Sequence, residues 1–108
     1  VIVDKEEALR EAEGLGHSYF YDFLDEQTDE QILTEIQEHI RGTRLPGLIY
    51  WEQRRDALRI VLAECSDEEL DDVLWNFGHV PEEVGGNRQF LNRIHEVITK
   101  AIEERKPQ

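Results

Sequence analysis

Ser66-Asp67-Glu68-Glu69-Leu70-Asp71-Asp72-Val73-Leu74-Trp75-Asn76-Phe77-Gly78 is the stretch that decides the fold. Ser66 and Glu69 stand three apart, as in a capping box, where a hydroxyl and a carboxylate satisfy each other's free backbone amides. Leu70, Val73, Leu74 and Phe77 then recur at helical spacing and form one apolar stripe. Gly78 supplies a stop. A helix that begins, packs and ends by its own local signals fixes the period for its neighbours.

Working outward, the same grammar repeats. Thr28 and Gln31 form a second capping box, followed by Ile32, Leu33, Ile36 and Ile40, with Gly42 as the stop. Leu45-Pro46-Gly47 is a turn. Leu48, Trp51, Leu58, Val61 and Leu62 mark a longer helix, with Arg54, Arg55 and Arg59 beside the stripe. Phe90, Leu91, Ile94, Val97, Ile98, Ala101 and Ile102 mark the last helix. Asp4 can cap a first helix with Ala8, Leu9 and Ala12 inside, expected to end at Gly14 or Gly16. After that break Ser18 can open a short aromatic segment, Tyr19-Phe20-Tyr21-Asp22-Phe23. The expectation is a single all-α domain of five or six helices over residues 1–108, with 1–3 and 104–108 frayed. Its core would comprise Leu33, Ile36, Ile40, Leu58, Val61, Leu62, Leu70, Leu74, Phe77, Leu91, Ile94, Val97 and Ile98.

Charge is the second message. The formal net charge is -13, more than the magnitude of about 2–8 that keeps a small domain soluble. The acids are segregated: twelve Asp/Glu against two Lys/Arg in 4–38, and eight against none in 64–83. The segments 39–63 and 84–108 each carry five Lys/Arg, against two and three acids. Clustered like charge opposes folding, and it speeds capture of an oppositely charged partner. Such a chain is a poor direct ligand for nucleic acid or an anionic membrane, since both need clustered cations. A lone thiol, Cys65, fits a reducing cytoplasm, and no secretory leader is expected.

Helix-dipole stabilisation accounts for two or three acids in a first turn. Five in the six positions 67–72 exceed it, and this face is expected to meet a partner. The contact set is expected to comprise Asp67, Glu68, Asp71 and Asp72, with Asp22, Asp25, Glu26 and Asp29 as a second acidic run. Tyr19 and Tyr21 would be aromatic anchors, since Tyr is enriched at interface hot spots. Other chemistry is poorly supplied. Glu35 and His39 share a helix face, which suits half a metal site but more often marks a polar pair. Cys65 has no base beside it in sequence, and Gly85-Gly86 lacks the Lys-Ser/Thr of a phosphate loop. No enzyme activity, metal or cofactor is therefore expected.

Three stretches carry a family resemblance. Tyr19-Phe20-Tyr21-Asp22-Phe23 followed by Asp29-Glu30 resembles the opening of small immunity proteins of contact-dependent growth inhibition systems. Arg55-Asp56-Ala57-Leu58 through Leu62-Ala63-Glu64-Cys65-Ser66-Asp67-Glu68-Glu69-Leu70 resembles their central helix, which runs into a Ser-Asp-Glu-Glu-Leu type of helix start. Arg88-Gln89-Phe90-Leu91-Asn92-Arg93-Ile94 resembles their closing helix. The likeness spans roughly 17–103 and departs at Phe23 and Phe90, where that family tends to carry Trp. It implies a cytoplasmic antidote that binds a basic toxin domain, often a nuclease, without touching nucleic acid, membrane or small substrate. Two other classes suit the same composition: a phage-type acidic DNA mimic that inhibits a restriction or CRISPR enzyme, and a death-like or adaptor module that binds its own kind.

Overall fold

The computed structural model describes residues 4–19, 28–75 and 86–105, without the side chains of residues 17, 73–75 and 86. Among the described residues five α-helices follow one another: α1 (Lys5–Tyr19), α2 (Asp29–Gly42), α3 (Leu48–Glu64), α4 (Asp67–Trp75) and α5 (Gly86–Arg105), with a 3-10 turn at Leu45–Gly47. The fold is all-α. No helix among the described residues is long and apolar enough to cross a membrane.

Both capping boxes form. Thr28 Oγ1 accepts from the Gln31 amide (3.2 Å), and Gln31 Oε1 accepts from the Thr28 amide (2.8 Å). Ser66 and Glu69 exchange the equivalent bonds at 3.2 and 3.1 Å. Thr28→Ala is expected to cost about 1 kcal/mol, read as a lower urea midpoint with an unchanged slope; an unchanged midpoint would show that the cap contributes nothing to stability. A Cβ at Gly47 would lie 2.7 Å from Cγ2 of Thr43, so a larger residue there would make the Thr43 side chain shift.

α3 lies between α1 and α5. α5 packs on α2 as well, and α4 bridges α5 and α1. The stripes meet in one core: Ile32, Leu33, Ile36 and Ile40 from α2, Trp51, Leu58 and Val61 from α3, Leu70 from α4, and Phe90, Leu91, Ile94, Ile98 and Ile102 from α5 are buried. Leu62 and Val97 are half-buried against it. Of the expected core residues, the Leu74 side chain and Phe77 lie outside the described residues.

Two expectations about element boundaries are corrected. α1 does not end at Gly14 or Gly16; it runs through both to Tyr19, and Ser18 Oγ donates back to the Gly14 carbonyl (3.2 Å). Each glycine costs a helix about 1 kcal/mol. Burying Leu15 and Tyr19 in register with Ala8 and Ala12 outweighs that, at about 1.5–3 kcal/mol for a large apolar side chain. At the other end, 104–105 do not fray. Glu104 pairs with Arg41, and Arg105 donates to the carbonyls of Ile40 (2.7 Å) and Arg41 (3.0 Å), which closes the C-terminus of α2.

Candidate functional site

The strongest concentration of charge is a corner made by the start of α1, the end of α3 and the start of α4. Lys5 joins them. Its ammonium lies 2.8 Å from Glu69 Oε2 and donates to Oε1 at 3.0 Å. This hydrogen bond raises the Lys5 pKa and, with the Ser66 amide bond, lowers that of Glu69. The latch is therefore fully formed at neutral pH and is lost in acid as Glu69 is protonated. Residues 4–7 bring three carboxylates and residues 64–72 bring six, nine in all.

Among the described residues two bases make contacts at this corner, and both are engaged. Lys5 is held by Glu69. Arg88, from the first turn of α5, donates through Nε to Asp67 (2.7 Å) and through its two terminal nitrogens to the carbonyls of Leu62 (2.6 Å) and Cys65 (2.8 Å). It thereby satisfies carbonyls that the end of α3 leaves without partners. Glu68, Asp71 and Asp72 stand exposed with no ion pair among the described residues. Asp71 instead accepts from the Asn87 side chain at 2.5 Å. Like charges at i,i+3 and i,i+4, as in Glu68 with Asp71 and Asp72, cost a helix about 0.2–0.5 kcal/mol each. A face that keeps them uncompensated attracts cations strongly.

The expected contact residues fall into three groups. Asp67, Glu68, Asp71 and Asp72 come together on this corner, with Asp67 shared with Arg88. Tyr21, Asp22, Asp25 and Glu26 lie outside the described residues. Tyr19 and Asp29 are corrected. Tyr19 is only 6 % exposed, because the continued α1 turns it onto the core stripe. Its hydroxyl is hydrogen-bonded to His39 Nδ1 (2.5 Å), and its ring lies 5.9 Å from that of Trp51, on which the Arg54 guanidinium sits at 4.6 Å. Burial pushes the Tyr19 pKa up, so the phenol stays neutral. Asp29 is 3 % exposed at the start of α2, where a helix N-terminus favours a carboxylate. Neither offers a surface to a partner.

Sequence reasoning missed Asp4, Glu6, Glu7 and Glu64 as members of the corner. Their acidity was visible, but not the Lys5–Glu69 contact that brings them to α4 across 64 positions. Other described acids lie away from this corner. Glu30 pairs with Arg93 (2.7 Å), and Asp56 with Arg55 (3.1 Å) and Arg59 (3.4 Å). A shallow dent of 360 Å³ on α2 is lined by Glu30, Gln31, Thr34 and Glu35.

Among the described residues no three His, Cys, Asp or Glu side chains converge as a metal site. Cys65 is buried, and burial followed by Glu69 raises its pKa, against the opposing pull of Lys5 and Arg88. A thiol held protonated is a poor nucleophile. Comparison with protein-family models, curated proteins and solved structures finds no match to this chain.

Proposed function

We propose that the protein is a stoichiometric inhibitor of the immunity type, which holds a basic toxin domain, such as a nuclease, against its acidic corner. One observation carries the reading. Lys5 ties residues 4–7, with three carboxylates, to residues 64–72, with six, while Lys5 and Arg88 are themselves spent on the fold. The uncompensated carboxylates would take the place of phosphates in a cationic cleft. Steering by such a field raises association rates and fixes orientation more than it adds affinity. A DNA mimic fits less well, because that role favours acid over most of the surface, whereas Arg41 and Arg44 are exposed at the far end of α3.

The test asks first whether a basic toxin domain is encoded beside this gene, and then mixes that purified domain with the inhibitor. Association is expected to slow by about tenfold or more between low and high salt, as screening shortens the reach of the charges. The double variant Asp71→Lys/Asp72→Lys should keep its helical circular dichroism and lose protection of cells that express the toxin. Full protection by that variant, with a salt-independent rate, would remove the corner from the interface.

A further inference from the structure

We propose that the outer face of α3 is a self-association surface, on which two copies pair antiparallel about a two-fold axis. This does not rest on the toxin reading. The large apolar side chains left exposed among the described residues are Leu45, Ile49 and Tyr50, at 64, 55 and 63 %. All lie at the N-terminal end of α3. Ile49, Asp56 and Ala63 follow at intervals of seven on one face of the helix. Ile49 and Ala63 are exposed and Asp56 is half-buried.

A second copy is the occupant that the charges favour. In a chain of net charge -13, α3 itself is neutral, with three acids (52, 56, 64) and three arginines (54, 55, 59). Its two ends are opposite in sign. Arg44 precedes the turn that leads into α3, is exposed, and makes no ion pair among the described residues. Glu64 closes the helix and leads into the acidic corner. An antiparallel pair sets the Arg44 end of each copy beside the Glu64 end of the other, twice by symmetry. It also sets each Ile49 over the small Ala63 of the second copy. Asp56 falls at the two-fold, where Arg55 and Arg59 of its own chain pair with it. A parallel pair would bring like ends together.

The face is small. A helix of 17 residues is about 25 Å long, and stable interfaces take about 800 Å² from each partner. The association is therefore expected to be weak, with a dissociation constant on the order of tens of micromolar or higher. Sedimentation equilibrium from about 10 μM to about 1 mM brackets that range. The apparent mass should climb from 12.7 kDa toward twice that value. Ile49→Asp should raise the dissociation constant by about tenfold or more. Arg44→Glu should weaken pairing, and Arg44→Glu/Glu64→Arg should restore it, since the exchange re-forms both end contacts. All these positions are exposed, so each variant should keep wild-type circular dichroism. A monomer at every concentration would overturn the proposal. So would a dimer indifferent to Ile49→Asp, or one that the charge exchange fails to rescue.

Discussion

Phe90→Ala is expected to destabilise the protein by about 3–5 kcal/mol, the largest single effect among these variants. Phe90 is fully buried on α5, the helix that touches α2, α3 and α4. Truncation removes the apolar area of the ring and leaves a cavity that the surrounding core would have to close. Interiors are close-packed, so they relax only in part. A domain of this length has about 5–15 kcal/mol in total. The variant should therefore melt about 15 °C or more below the parent and unfold at a much lower urea concentration. A shift of only a few degrees would mean that α5 is not the common wall of the core.

Arg88→Met is the second. It should cost about 2 kcal/mol, since hydrogen bonds from a charged donor contribute about 1.5–3 kcal/mol each and part-exposed acceptors recover some of that from water. The methionine keeps most of the apolar stem, so the loss isolates the guanidinium. Two carbonyls at the end of α3 lose their donor, and Asp67 loses its counter-charge. Arg88→Lys should recover only part, because a single ammonium cannot reach three acceptors along the fork of a guanidinium. Amide exchange should quicken at Cys65 and Leu70, whose N–H groups bond to the carbonyls of Val61 and Ser66 on either side of this junction. Wild-type stability in Arg88→Met would show that α4 is placed by packing alone. Because Arg88 and Lys5 pin α4 to α5 and α1, the variant should also slow toxin association if the acidic corner is the docking face.

Much of the helical layout was legible in advance, for local reasons. Thr28 with Gln31 and Ser66 with Glu69 are three-residue signals, and the stripes of α2 and α5 repeat within one or two turns. Such patterns need no knowledge of what they pack against. The expectation failed first at Gly14-Leu15-Gly16. Local propensity reads a break there, and only the buried seat for Leu15 and Tyr19 keeps α1 continuous. Tyr19 was misplaced by the same error, because a helix that stops at Gly16 leaves the next aromatic free to face outward.

The acidic corner divides in the same way. Asp67, Glu68, Asp71 and Asp72 lie within two turns of one helix, so their shared face could be read from spacing. Asp4, Glu6 and Glu7 join them only because Lys5 reaches Glu69. The role of Arg88, with two bonds to the end of α3 and one to the start of α4, has no signature in a string of residues.

By itself the chain determined that it would be helical, where most helices would begin, which stripes would turn inward, and that its charge would be strongly negative. Those properties arise from interactions over a few residues and from composition. Tertiary structure alone decided how far α1 extends, which carboxylates share a face, and which bases remain free to oppose them. Ion pairs and burial depend on distances in space, and contacts across 26 or 64 positions exist only once the helices have packed.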